Sequence, residues 1–383
     1  MRYVDFGKTG VSLSRLGMGC MHFPFREKDG KNIYDMEKST ALIHRAIEVG
    51  VNYLDTAPYY CDGMSEEIVG KALKGRREKV YVSTKCPIDN DSGDEYDRWL
   101  ERSLKKLDTS YIDFYHFWAI SLDKFCNRVM EPDGPFERAK KAKSQGLIKH
   151  ISFSFHDSLA REKEGDNLME ILKRGEGLLE SLLCQYNIMD RNKGPGLELA
   201  HKMEIGTAVM GPLGGGRLAS PGKAILDLLP ARIHNSAELA LRFVMSNEAV
   251  NVVLSGIANT EELEENARVT DNASGLSQDE LNRIEMMMKE NERLAGLYCT
   301  GCNYCMPCPA GLNIPEIFKI MNYHRVYGIT DYAKKAYAEI GKNIDRNYAN
   351  ASACTGCGEC EEKCPQKLPV REQLEETRKI LAG

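Results

Sequence analysis

No apolar stretch in the sequence reaches the roughly 20 residues that a helix needs to span a bilayer. The opening segment, Met1 to Gly10, has no apolar core of signal-peptide length. These two absences lead to the expectation of a cytoplasmic protein without a membrane partner. Basic residues are not in excess: 51 Lys and Arg stand against 56 Asp and Glu, a net charge of −5 at pH 7. Without a long Lys/Arg run, nothing calls for nucleic acid as a partner. No segment is of low complexity. A Gly-x-Gly-x-x-Gly opening a helix after an early strand, the mark of a doubly wound dinucleotide-binding sheet, is also missing. The first strand runs Leu16-Gly-Met-Gly-Cys20-Met-His-Phe-Pro, and no helix opens there.

What the chain does have is length and alternation. It has 383 residues, 42% hydrophobic and 28% charged, an ordinary globular balance. Short β-rich runs recur at Leu16–Cys20, Val51–Asp55, Val80–Thr84, Tyr111–Trp118, Ile148–Ser154, Leu182–Asn187, Gly206–Met210 and Asn251–Ser255. Amphipathic helical patterns lie between them, such as Glu37–Val49, Glu95–Leu107, Phe136–Ser144 and Ser236–Met245. Strands alternating with helices mean βαβ units and a parallel sheet. Eight such units in about 270 residues fit a closed (β/α)8 TIM barrel, which typically takes about 250. A small hairpin over Tyr3–Ser14 precedes the first strand. The expected division is a barrel over 1–275, a connecting helix over 276–297 opened by a Ser277–Glu280 capping box, and a small, mainly helical module over 298–383.

The thirteen cysteines are unevenly spread. Cys20, Cys61, Cys86, Cys126 and Cys184 are single, and the other eight fall in two runs. A disulfide framework suits a chain with no export signal poorly. The second run, Cys354-x2-Cys357-x2-Cys360-x3-Cys364-Pro365, has the bacterial ferredoxin spacing. The first, Cys299-x2-Cys302-x2-Cys305-x2-Cys308-Pro309, is one residue shorter before its last cysteine. In such pairs the fourth cysteine reaches the other cluster. Two 4Fe–4S clusters are therefore expected, one on Cys299, Cys302, Cys305 and Cys364, the other on Cys354, Cys357, Cys360 and Cys308. Structural zinc also uses paired Cys-x2-Cys, but it calls for two pairs rather than two triplets each followed by Cys-Pro. The module resembles the helical two-cluster ferredoxin modules appended to larger redox enzymes.

Asp55 ends the second barrel strand, Tyr60 follows five residues on, and Val82-Ser-Thr-Lys85 ends the third. This set resembles the aldo-keto reductase family, in the branch with a fused C-terminal ferredoxin-like domain. The resemblance covers roughly residues 1–275. Reducing a carbonyl needs a hydride on carbon and a proton on oxygen. A tyrosine, with an unperturbed pKa of about 10, is a weak acid that a nearby lysine cation makes easier to ionise. An aspartate keeps that lysine charged and in place. The family's fourth catalytic residue is a histidine; aligned on Asp113, its position holds Trp118. An indole donates a hydrogen bond but exchanges no proton. His116 shares the face of Trp118 but lies deeper, by about 7 Å at about 3.4 Å per residue, as a satisfied interior histidine. His22 and His156, near other strand ends, are further candidates.

The resemblance also implies nicotinamide contacts. Ser154 and Gln185 match the positions that bind the carboxamide, and Met210 the one packed on the ring face. Gly19, Cys20 and Met21 lie at the end of the first strand. Gly211, Pro212, Leu213 and Gly214 begin a glycine-rich loop, and Gly256, Asn259, Glu262, Glu265 and Asn266 lead into a helix; these two loops suit a pyrophosphate. Glu262 stands where relatives preferring NADPH often place an arginine for the 2′-phosphate, so NAD(H) is favoured over NADP(H). The leading expectation is an oxidoreductase that reduces a carbonyl, or oxidises an alcohol, with nicotinamide as hydride carrier. Nicotinamide moves electrons in pairs and each cluster singly, so joining them would take a flavin, for which no site is identifiable. A second reading feeds the clusters from ferredoxin or another redox protein into a barrel-bound substrate or flavin, without nicotinamide. A third makes the chain a non-catalytic electron-transfer subunit.

Overall fold

In the computed structural model the described residues are all but 29–30, 89–91, 157–163, 215–229, 231, 273–274, 300–302, 343–345, 365–366 and 383. The chain divides into two compact units, Met1–Gly214 with Ala240–Leu276, and Gly215–Leu239 with Ser277–Gly383.

The first unit is built on a closed barrel of eight parallel strands. Two outer hairpins accompany it: β1 (Tyr3–Asp5) with β2 (Ser12–Ser14), and β4 (Phe25–Lys28) with β5 (Lys31–Tyr34). The barrel runs β3 (Leu16–Gly19), β6 (Tyr53–Asp55), β7 (Tyr81–Pro87), β8 (Ile112–Ile120), β9 (Ile148–Phe155), β10 (Ser181–Gln185), β11 (Gly206–Met210) and β12 (Val252–Gly256), and β12 closes onto β3. Each strand pairs with the next in sequence, as right-handed βαβ crossovers dictate. All eight expected strands are present. The sequence pattern gives no sign of the hairpin β4–β5. Seven of its eight residues are exposed, so its sequence lacks the apolar alternation that marks a half-buried strand.

The hairpin β1–β2 plugs the N-terminal end of the barrel. Phe6 and Leu13 are fully buried, and the Phe6 ring meets Phe114 edge-on at 5.2 Å. Gly206 has no side chain because an added Cβ would stand 2.7 Å from the Phe6 ring. The opposite end, at the strand C-termini, is the rim where barrel active sites lie. The helix Met36–Glu48 shows how the outer ring forms. Asp35 caps it by accepting from the Lys38 N–H, and Ser39, Leu42, Ile43 and Ala46 are buried at helical spacing.

In the second unit the helix Gln278–Tyr298 opens on the expected capping box: Ser277 N–H donates to Glu280 (2.7 Å), and Glu280 N–H to Ser277 Oγ (3.3 Å). Helices Ile314–Arg325, Thr330–Ala338 and Val370–Leu381 pack around Ile317, Phe318, Met321, Tyr337 and Leu374, and Cys360 is part of this core. Among the described residues no helix is long and apolar enough to cross a membrane.

Candidate active site and cluster module

Parallel strands in register bring Asp55, Ser83 and Lys85 to one rim, since Asp55 lies opposite Ser83 and next to Gly19. Lys85 is 1% exposed and Asp55 4%. Lys85 Nζ donates to Asp55 Oδ2 at 2.7 Å and to the Thr56 carbonyl at 2.7 Å. Ser83 Oγ donates to the other carboxylate oxygen at 2.7 Å. Lys85 Nζ also lies 4.6 Å from the centre of the Tyr60 ring. Burial opposes the lysine's charge, but Asp55 and Tyr60 outweigh it and hold its pKa above the ordinary value. For Tyr60 the balance tips the other way: burial pushes its pKa up, Lys85 pulls it down, and the net shift is upward. The lysine's pull is legible in the sequence, but the depth of burial that exceeds it is not.

Trp118 owes its position to a β-bulge. Phe117 pairs with Phe153 and Ile120 with Phe155, so Trp118 and Ala119 together face Ser154. Ala119 takes a left-handed φ of 51°, and its N–H donates to Ser154 Oγ at 2.8 Å. The indole stands edge-on to Tyr60 at 6.0 Å and leans on Tyr59 at 5.2 Å. Tyr59 in turn meets Trp99. Trp118 thus flanks the Tyr60 ring and is linked through Tyr59 to Trp99, a grouping that the sequence did not disclose. A second unforeseen residue is Asp62, which accepts from Asn32 Nδ2 (3.0 Å) and Tyr34 OH (3.4 Å) and ties hairpin β4–β5 to the loop carrying Tyr60.

His116 lies opposite Lys85 on the neighbouring strand and is 1% exposed. It is interior, as expected; the Phe153 backbone lies close to the ring, but neither nitrogen makes a hydrogen bond of normal geometry among the described residues. Burial, then Lys85, lowers its pKa to about 3. Below an unperturbed pKa of about 6.5 the unfolded chain takes up a proton that the folded chain refuses, so stability falls with pH there. Between pH 7 and pH 5 this costs about 2 kcal/mol. His116→Phe removes the term. The wild type should therefore lose about 4–8 °C more apparent Tm than the variant over that range. Tryptophan fluorescence of the barrel checks it, and equal losses would contradict the neutral buried ring. His22 is exposed and packs against Gly256, whose added Cβ would stand 2.9 Å from His22 Nδ1; His156 is exposed beyond β9.

The remaining predicted contacts lie along the same rim. Cys20 is buried, and burial holds its thiol pKa well above the usual value; Met21 is half exposed. Gln185 Nε2 donates to Asp190 Oδ2 at 2.8 Å, and Asp190 is paired with the buried Lys193. The Gln185 amide oxygen is left facing Gly211. Met210 ends β11 beside Gln185 in register, and Gly211 and Gly214 take left-handed φ values around Pro212 and Leu213. Gly215 and Gly216 lie outside the described residues. Past Gly256, Asn259 and Glu262 form a reciprocal cap on the helix Thr260–Asn272: Glu262 N–H donates to Asn259 Oδ1, and the Glu262 carboxylate accepts from Ala258 N–H and Asn259 Nδ2. Glu265 is half-buried, and Asn266 is buried with its Nδ2 on Ser255 Oγ.

In the second unit Cys308, Cys354, Cys357 and Cys360 line one cavity together with Cys305. These include all four thiols assigned to one cluster by the crossed pattern. Gly356 and Gly358 take φ values of 73° and 83°, the left-handed turns that wrap the Cys354–Cys360 loop around the cavity. Apolar walls from Pro307, Pro309, Ile314 and Leu374 complete it. Soft thiols ringing an apolar cavity fit an iron–sulfur cluster. Among the described residues no three His, Cys, Asp or Glu side chains converge on a single metal ion. Cys302 lies outside the described residues. Cys299 and Cys364 are half-buried elsewhere in the module.

The aldo/keto reductase family profile matches residues 15–227. The chain belongs to the aldo/keto reductase family. A 4Fe–4S dicluster domain profile matches residues 298–369. An oxidoreductase of Bacillus subtilis, YqkF, is 26% identical over 326 residues, covering 76% of this chain and 98% of its own length. L-galactose dehydrogenase of Arabidopsis thaliana is 26% identical, covering 75% and 94%. The aldo-keto reductase AKR11C1 of Bacillus halodurans, in its holo form, superposes with a TM-score of 0.63 at 25% identity, covering 75% of this chain and 96% of that one. The protein is thus an oxidoreductase with an aldo-keto reductase barrel and an appended 4Fe–4S domain.

Proposed function

We propose that the barrel reduces a carbonyl, or oxidises the corresponding alcohol, with a nicotinamide as hydride carrier, and that two 4Fe–4S clusters accompany it. The observation that carries this reading is the buried Asp55–Lys85 pair beside Tyr60 at the C-terminal rim of the strands. The domain division that goes with it is barrel to about 275, connecting helix, and cluster module from about 298.

The rim residues fit a nicotinamide carboxamide. Ser154 Oγ accepts from Ala119 N–H and keeps its own hydrogen to donate, while Gln185, fixed by Asp190, offers a carbonyl oxygen to accept. That donor and acceptor match a primary amide. A bound reduced nicotinamide supplies the hydride. Tyr60, its phenol kept protonated by burial, gives a proton to the carbonyl oxygen, and Lys85 steadies the phenolate that remains. Asp55 holds Lys85 charged and in place. Trp118 exchanges no proton, which leaves the acid role to Tyr60.

NADH is the favoured donor. The Glu262 carboxylate sits at the head of the helix Thr260–Asn272, where it would repel a 2′-phosphate. The NADH-specific methylglyoxal reductase of Escherichia coli, 30% identical over 210 residues, supports this reading, while aldo-keto reductase structures from Klebsiella pneumoniae hold NADP and NADPH. Glu262→Arg should raise kcat/KM for NADPH relative to NADH, and an unchanged ratio would count against the assignment.

Iron and acid-labile sulfide in anaerobically purified protein are expected at about eight each per chain. Cys357→Ala should lose about half of both. The decisive experiment is the anaerobic visible spectrum before and after NADH. Bleaching joins nicotinamide to the clusters and calls for a flavin. An unchanged spectrum with NADH bound and a carbonyl reduced leaves the barrel working alone. Failure to bind NADH, with the clusters reducible by ferredoxin, would overturn the nicotinamide reading.

A further inference from the structure

We infer that Arg371 and Glu361 set the reduction potential of the cluster held by Cys308, Cys354, Cys357 and Cys360, the arginine raising it and the glutamate lowering it. The inference rests on the cluster reading above and deepens it. Arg371 lines the cavity that these four thiols share. Its guanidinium grips both sides of the thiol loop. Nη1 donates to the Gly356 carbonyl at 3.4 Å, between Cys354 and Cys357, while Nε and Nη2 donate to Glu361 Oε2 at 3.0 and 2.8 Å, beside Cys360. The Arg371 backbone N–H donates to Glu361 Oε1 at 2.9 Å, so the carboxylate is held from two directions. An added Cβ on Gly358 would come within 3.9 Å of the guanidinium carbon, which places that charge against the loop itself.

Reduction adds one electron, and therefore one negative charge, to a cluster that the thiolates already make anionic. A fixed cation at its wall stabilises the reduced form more than the oxidised one, and a fixed anion does the reverse. Cluster net charge and surrounding hydrogen bonds are recognised settings of iron–sulfur potentials. Since about half of the Arg371 side chain is exposed, added salt should weaken its influence.

The test is an anaerobic redox titration of the full-length protein with dithionite, followed by EPR, on the wild type, Arg371→Met and Glu361→Gln. Arg371→Met should move one midpoint to lower potential, Glu361→Gln should move the same midpoint higher, and the other cluster should move less. The shifts should shrink at high salt. Iron content is measured in each sample. A role confined to bracing the loop predicts shifts of the same sign in both variants, or loss of half the iron with no shift in what remains, and either result overturns the inference. Unmoved potentials at full iron content overturn it too. A wild type without iron would instead refute the cluster reading itself.

Discussion

Tyr60→Phe should lower carbonyl reduction by about 10²- to 10⁴-fold, the usual worth of a positioned general acid, with NADH affinity and cluster absorbance unchanged. The hydroxyl is lost while the ring stays, so the edge-on contact with Trp118 and the place of Lys85 over the ring are kept. In the wild type burial raises the Tyr60 pKa above its ordinary value of 10 despite Lys85. The phenol therefore remains a donor across neutral pH. Reduction should be flat there and fall only at alkaline pH, as Tyr60 ionises; the residual rate of the variant should lack that alkaline limb. Stopped-flow reduction of an aldehyde at saturating NADH measures both. A variant with full activity would remove the barrel site from proton transfer and favour an electron-transfer role for the chain.

Whether a residue's role could be read in advance depended on how locally it is encoded. Asp55 and Lys85 were accessible because parallel strands deliver consecutive strand ends to one rim, so order along the chain becomes proximity in space. The thiol runs were accessible because cluster ligation is a matter of short spacing. Trp118 was placed in sequence but not in aim, since the bulge that turns it ends on Ala119, and an alanine at φ 51° leaves no mark in the sequence. The Asn259–Glu262 cap carries a pattern like that of Ser277–Glu280, but a carboxylate at that position suits both a phosphate-repelling role and a cap, and only the fold brings the N–H groups to it. Arg371 follows Glu361 by ten residues with no helical or strand periodicity to link them, so only the fold brings them together. Net pKa shifts were out of reach for a related reason. The sign at Tyr60 is decided by how much chain covers it, which is a property of the whole barrel.

Lys85→Met should destabilise the barrel by about 3–5 kcal/mol, the cost of stripping one partner from a buried ion pair. The lysine and aspartate are almost fully enclosed, and after the substitution Asp55 keeps, among the described residues, only the Ser83 hydroxyl as a side-chain donor. The loss is thus mainly the penalty of an unpaired buried carboxylate. Removing that carboxylate as well should return much of it, so Asp55→Asn with Lys85→Met should be clearly more stable than the sum of the single losses. A double-mutant cycle in urea measures the coupling. The two tryptophans, Trp99 and Trp118, both lie in the barrel unit, so fluorescence follows that unit rather than the cluster module. Strict additivity would mean that the pair is held by the fold without mutual attraction. The same variant bears on the chemistry. With the cation gone, the charge that offsets burial at Tyr60 is lost, and its pKa should climb further. Reduction should then fall even though the phenol remains present and protonated, because the phenolate left after proton transfer has lost its counter-charge. A loss of rate in a variant that still holds its acid would assign Lys85 to stabilising the product of that proton transfer, separately from its part in holding the barrel together.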